Sequence, residues 1–350
     1  MIEILTTGAA NSVQDLGRFG YLDAGVSRSG AMDAPALELA NRMIGNEANA
    51  AAIEVAIFPF RLRFDRAALI AVTGADCSVT VNGIGFPAWW ALSVRAGDVL
   101  ELGLPRAGAR AYVAVGGGLK VEKVLGSSST DLKSGWGGHE GRGLRRGDRL
   151  NMHFVPMPMP MPMPMPMPMA VSGMPAGFGL DPVELGRSAA DMGEKAPIRV
   201  LAGAEYRSFT SEALESLAPS TWLVTEDANR QGYRLSGPML GLVQKLELHS
   251  HGIMPGTLQV PPSGQPIIQL AEANTCGGYP KIAHVIEADL WRLGQAPVGS
   301  RLRFAVVERA EAVSALKVQR DGLDRAAAFA ALARKDKSHP EQLAALARQP

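Results

Sequence analysis

Apolar positions along most of the chain come in short runs with partial alternation, and few of them recur at helical spacing. The runs "AIEVAIFPFRLRF", "AALIAVTG", "CSVTV" and "RAYVAVGGG" precede the midpoint, and "IRVLAG", "TWLVT", "GTLQV" and "QPIIQLA" follow it. Each is bounded by Gly, Pro, Asn or Asp, which marks strands closed by turns. The pattern predicts a mainly β fold with a few helices. The clearest helix is predicted from about Ala34 to Ile44, with Asp33 as N-cap, Pro35 in the first turn and Leu37, Ala40 and Ile44 on one face. Gly45 and Asn46 end it. From about Glu308 the chain is Ala-rich and charged, with partial helical spacing at Val313, Leu316 and Leu323. One or two peripheral helices are expected there, loosely attached or disordered towards the end.

Three stretches, "AGDVLELG", "RGDRLNMHF" and "VGSRLRFAV", share a Gly and a polar residue opening an alternating strand. The last two each close one half of the chain, after Gly-rich segments at similar distances, which suggests two related β-barrel or sandwich units. Between the halves lies "VPMPMPMPMPMPMPM", from Val155 to Met169. Proline at every second position predicts a stiff polyproline II rod. The organisation expected is a first β domain over 1–150, a Pro-Met-rich linker or surface excursion over 151–195, a second β domain over 196–308, and a helical or partly disordered tail over 309–350.

Composition narrows the function classes. The 35 basic and 34 acidic residues leave a formal charge of +1, so no global field draws the chain to nucleic acid or to an anionic membrane. Cys77 and Cys276 stand far apart without a spaced cluster, which argues against a disulfide framework and a zinc site. His249 and His251 share a strand face but lack an obvious third ligand, so no metal site is predicted. The N-terminus does not read as a signal peptide and no apolar run reaches membrane-spanning length. A soluble, cytoplasmic protein is expected.

Four segments concentrate polar groups among glycines. In "GVSRSGAMD", backbone donors at a helix start, with Ser27, Arg28 and Ser29, suit a carboxylate or phosphate, and equally suit a turn with an ordinary cap. "LGSSSTDLKSGWGGHEGRGLRRGD" is long enough to serve or cover a site. "EDANRQGYRLSGP" clusters Asn229, Arg230, Tyr233 and Arg234, and "SHGIMPGTLQVPPSGQPIIQLAEANTCGGYPKIAH" carries His251, Gln259, Glu272, Thr275 and Tyr279. No stretch has the Lys and Ser or Thr that close a phosphate loop, and none has a Met-Lys-Met biotin site. ATP or biotin would have to involve another polypeptide.

Together "VQDLGRFGYLDAGVSRSGAMDAPALELANRMIGN", "LGSSSTDLKSGWGGHEGR", "NRQGYRLSGP", "SHGIMPGTLQVPPSGQPI" and "TCGGYPKIAHVIEADL" resemble the biotin-dependent carboxyltransferase family, also called allophanate hydrolase subunit 2. Within it they are most similar to its ATP-dependent oxoprolinase branch. The likeness covers about 1–150 and 196–308. It implies two cyclophilin-like β-barrel domains in one chain, a smaller partner subunit of related fold, and a third subunit. The reaction implied is opening of the 5-oxo-L-proline lactam to L-glutamate, using ATP, with or without Mg, in the assembled complex. A lactam is a poor electrophile, and a phosphorylated amide oxygen would give water a better target.

Carried over by motif, His251, Glu272 and Asp33 are the catalytic candidates. Arg18, Ser29, Gly30, Thr130, Gly138, Asn229, Arg230, Tyr233, Gln259, Thr275, Gly278 and Tyr279 are the substrate- or nucleotide-binding candidates. Arg18 and Arg230 would hold anions. The chain departs from the family in "NRQGY", where Met is usual for Gln, and in "EANTCGGYP", where Asp and Gln are usual for Glu272 and Asn274. Two other readings are a carboxyltransferase acting on urea or a similar amide with biotin on another chain, and a regulatory module that binds the smaller subunit.

Overall fold

Alternating runs in the first half become the longest strands. Ala68–Val81 and Val99–Val115 pair antiparallel from Ile70 opposite Val115 to Val81 opposite Leu100, with bulges around Gly74 to Val79. Phe60–Phe64 packs beside them with Phe60, Leu62 and Phe64 buried and Arg61 and Arg63 outward. Each such buried side chain contributes roughly 1.5–3 kcal/mol relative to exposure. These strands belong to a ten-stranded sheet that also takes in Ile2–Thr6, Trp90–Val94 and Arg149–Leu150. Described here by a computed structural model are residues 1–153, 177–188 and 196–335; the Met-Pro tract lies outside them.

The second half builds an eight-stranded sheet of its own. Ile198–Ala202 pairs antiparallel with Lys281–Val285 and parallel with Phe304–Val306. The architecture is therefore mainly β with a few helices, and its strands run in a nearly closed barrel arrangement. Each sheet encloses a separate apolar core, one around Phe60, Ile70 and Val113, the other around Trp222, Leu258 and Phe304.

The internal repeat has a physical basis. Its three glycines, Gly97, Gly147 and Gly299, have φ of 90°, 89° and 83°, a conformation that a Cβ disfavours. In the first two copies the following aspartate accepts the backbone N–H three residues before it, Arg95 to Asp98 and Arg145 to Asp148, each at 2.7 Å.

The first helix spans Ala34–Met43, and Asp33 caps it by accepting Ala36 N–H at 3.0 Å. It packs on the first sheet and on the C-terminal helix Arg309–Lys335. The tail differs from expectation in its attachment. Val313 is exposed, and the buried stripe is Leu323, Ala326 and Ala330, at i, i+3 and i+7. Arg334 caps the first helix by donating to the carbonyls of Arg42 and Met43.

The described part of the 151–195 segment is attached to the rest of the fold at three points. Met152 bridges Leu119, Phe178–Gly179 pairs with Trp90–Ala91, and Arg187 is buried with its guanidinium 4.1 Å from the Trp291 ring.

Candidate functional site

The loop "GVSRSGAMD" turns inward between the two halves. Ser29 and Gly30 both have positive φ, 51° and 86°, and Gly30 rests on Gly17 so closely that a Cβ would lie 2.8 Å from its Cα. Ser29 N–H donates to Ala271 O of the second half at 2.8 Å, and Ala31 N–H to Asp15 O at 2.9 Å. Asp15 in turn organises the serine run: its carboxylate accepts Ser127 Oγ at 2.7 Å, Ser129 Oγ at 2.6 Å and Ser128 N–H at 2.6 Å. Thr130 donates to Val13 O, and Gly138 lies against it, where a Cβ would sit 1.9 Å from Thr130 Oγ1.

Arg18 runs under this loop with 2% exposure. It donates to Ser129 O at 2.5 Å and to Val124 O at 3.2 Å, and lies 5.4 Å from the Trp136 ring. Burial lowers its pKa, partly offset by Asp131, Asp15 and Glu272. Asp131 is the next hub, accepting Ser27 Oγ at 2.6 Å and Ser134 N–H at 2.9 Å. Burial pushes its pKa up, but these bonds, with Trp136 and Ser29 close by, outweigh it and hold Asp131 below the ordinary carboxylate range. Ser29 Oγ, Trp136 Nε1 and Arg18 Nη1 complete no hydrogen bond of their own.

Over this substructure opens a cavity of about 590 Å³ lined from both halves, by Gly25, Val26, Ser27, Lys133, Ser134 and Trp136 on one side and Ala273 to Cys276 on the other. Lys133 Nζ donates to Asn274 Oδ1 across it. Its size suits a small molecule, with an ammonium, hydroxyls and an amide at its edge.

A second group of predicted residues is buried as a polar network joining the halves. Arg230 donates to Glu54, to Glu272 Oε1 at 2.5 Å and to Gly30 O at 2.6 Å. Burial lowers its pKa, but Glu54 and Glu272 more than compensate and the net shift is upward. Glu54 Oε2 also accepts Met32 N–H at 2.9 Å and Tyr112 Oη–H at 2.8 Å. Arg110 donates to Tyr233 Oη at 3.0 Å. Asp33 is fully buried, bound to Arg187 and to Gln295 Nε2 at 2.8 Å. Asp33 therefore serves in this chain as a helix cap and a core ion-pair partner, with no surface that meets solvent. Glu272 likewise is 2% exposed and engaged by Arg230. Asn229 is exposed and builds a turn, accepting the N–H groups of Gln231 and Gly232.

A third group surrounds the short two-stranded antiparallel ribbon in which His251–Gly252 pairs with Cys276–Gly277. His251 Nε2 lies 2.5 Å from Lys281 Nζ and 3.5 Å from Glu205. Gln259 is buried against Gln269 Nε2 at 2.9 Å, Gly278 abuts Leu248 O, Tyr279 is exposed, and Thr275 lines the pocket.

Residues 24–306 match a family model described as carboxyltransferase domain, subdomain A and B. The chain belongs to the carboxyltransferase family. It is 37% identical over 328 residues to a 5-oxoprolinase subunit of Escherichia coli, covering 91% of this chain and 95% of that one. It is 32% identical over 315 residues to the urea amidolyase of Saccharomyces cerevisiae, covering 87% of this chain and 16% of that one. Among solved structures, the urea amidolyase of Kluyveromyces lactis superposes with a TM-score of 0.81 at 30% identity, over 93% of this chain and 20% of that one.

The hydroxyls of Ser127 and Ser129 and the N–H of Ser128 already bind the Asp15 carboxylate, so an anion there would have to displace one. Among the described residues no cluster of three or more metal-ligating side chains occurs, and no helix is long and apolar enough to cross a membrane.

Several site residues carry little or no signal in the sequence. Glu54 has a legible one, an acid inside the apolar run "AIEVAIF". Asp131 and Lys133 lie within the Gly-rich stretch after Leu125, but nothing in spacing separates them from the solvated charges beside them. Lys281 and Glu205 meet only through the sheet.

Proposed function

We propose that the chain is the subunit of a multi-subunit, ATP-dependent amide hydrolase that opens 5-oxo-L-proline to L-glutamate, with the pocket between its halves as the substrate site. The observation that carries this reading is that three motif segments, 25–27, 133–136 and 273–276, converge on one cavity. In that cavity Lys133 would meet the substrate carboxylate, while Ser27, Asn274 and Thr275 would hydrogen-bond the lactam amide. The similarity to a named 5-oxoprolinase subunit over nearly its whole length supports the substrate. ATP would be held by a partner: a third subunit, or the smaller related subunit, since the serine loop here is occupied by Asp15.

The likeness to urea amidolyases favours a second reading, carboxyl transfer to a urea-like amide in the same pocket with biotin delivered by another chain. Both readings need a site that binds an amide edge-on beside a cation, and both make this chain one part of a complex. Reconstitution with the two candidate partner subunits separates them. Coupled release of glutamate and phosphate from 5-oxoproline and ATP, lost when this chain is omitted, is the expected result. A complex that assembles but consumes ATP only with biotin and a urea-like amide would select the second.

A further inference from the structure

Lys281 is an unusual first residue for an internal strand. It opens Lys281–Val285, in the middle of the second sheet, and is only 6% exposed. Its Nζ reaches the two-stranded ribbon of His251–Gly252 and Cys276–Gly277, 2.5 Å from His251 Nε2 and 3.4 Å from Gly277 O. His251 Nδ1 lies 3.1 Å from His249 O. A carbonyl only accepts, so Nδ1 carries the ring proton and Nε2 offers its lone pair to the ammonium. Glu205 completes the cluster, accepting Lys281 N–H at 2.8 Å through one oxygen and standing 3.5 Å from His251 with the other.

The two acceptors of the ammonium belong to the two strands of this ribbon. His251 is paired with Gly277, and Gly252 with Cys276, while Ile253 N–H donates to Thr275 O at 2.9 Å. Two residue pairs make a marginal two-stranded ribbon on their own. Thr275 and Cys276 line the pocket, so whatever fixes the ribbon fixes that wall. We propose that Lys281 is a positioning residue for the pocket: its ammonium, held between His251 and the Gly277 carbonyl, clamps the two strands that present Thr275 and Cys276. For turnover the inference rests on the reading of the pocket given above; for the ribbon it does not.

Charge decides the clamp. Burial holds the Lys281 amine below lysine's usual range, with Glu205 pulling it partly back. Below that lowered pKa the ammonium bridges both strands; above it the neutral amine still donates, but without the charge that roughly doubles a hydrogen bond's strength. The groups facing it are His251 and Glu205.

The Ile253 amide is a built-in reporter: it is buried, and its N–H donates to Thr275 O across the two strands. In the full chain at neutral pH, Lys281→Met is expected to speed hydrogen exchange at Ile253 about tenfold, the scale of one lost charge-assisted hydrogen bond. Lys281→Arg should stay near the parent rate. The ratio of Lys281→Met to parent should fall towards one as pH rises through the lowered lysine pKa. An unchanged or slower rate at neutral pH, or a ratio constant with pH, overturns the proposal. Should Lys281→Met fail to fold, His251→Leu removes the acceptor at a 40% exposed position; faster exchange supports the clamp and an unchanged rate refutes it. The assay needs no substrate or partner, so a failed reconstitution leaves its result standing.

Discussion

Arg230 of the second half and Glu54 of the first form an ion pair from which solvent is excluded, Glu54 having no exposed surface and Arg230 only 6%. The same guanidinium also binds Glu272 and the carbonyl of Gly30, so one side chain ties three segments together between the two halves. Buried charges of this kind are costly to leave alone: removing one partner typically destabilises by about 3–5 kcal/mol. Arg230→Met should therefore lower the denaturant midpoint strongly and cost activity only through the fold. Glu54→Gln should do less, because Glu272 still neutralises the arginine. Urea unfolding of both variants checks the order. A small loss for Arg230→Met, with turnover abolished in the complex, would return Arg230 to the role of an anion holder.

The strand regions, the first helix with its cap, and the turn repeat were legible because each follows from local chemistry. Asp33 precedes Pro35 and an apolar stripe; Gly97, Gly147 and Gly299 each start a strand from a left-handed turn. The site was legible only as segments. Motif residues that look alike in sequence divide into a pocket rim (Thr275), a packed loop (Arg18, Ser29, Gly30, Thr130, Gly138), a buried junction (Asp33, Arg230, Tyr233, Glu272), an exposed turn (Asn229) and a cluster around the two-stranded ribbon (His251, Gln259, Gly278, Tyr279). Which group a residue joins depends on pairings between segments distant in sequence, such as Arg230 with Glu54, and no local spacing encodes those. The tail misled for a related reason: Val313 fits the helical period, but the surface it would need is solvent, while Leu323 and Ala330 find the first helix.

His284 supplies a pH dependence of known sign. It sits on the strand Lys281–Val285, its Nδ1 3.2 Å from Thr257 Oγ1, and burial holds its pKa below the usual histidine value of 6.5. With the folded pKa lowered, the unfolded chain binds the proton more readily. This stability contribution is complete above pH 6.5 and declines as pH falls from there towards the folded pKa. His284→Gln should keep a hydrogen-bonding partner for Thr257 and flatten that acid-side decline. Thermal midpoints taken from neutral to mildly acidic pH test this. Parallel curves for parent and variant would show that His284 does not titrate differently on folding.

Lys133 is the cation at the pocket mouth, and it donates to Asn274 across the opening. An exposed contact of that kind contributes little to stability, typically under about 1 kcal/mol, so Lys133→Met should leave the unfolding midpoint nearly unchanged. Its value would be in recognition. If the ammonium meets a substrate carboxylate, the variant in a reconstituted complex should raise KM for 5-oxoproline about tenfold with kcat little altered, the loss expected for one charge-assisted hydrogen bond made equally in ground and transition states. The carboxamide of the same lactam, which lacks the charge, should then be handled alike by parent and variant. A KM for the acid that does not move would place carboxylate recognition elsewhere and leave Lys133 as a bridge between the halves. A fall in kcat without a change in KM would instead mean that the ammonium acts on the reacting amide.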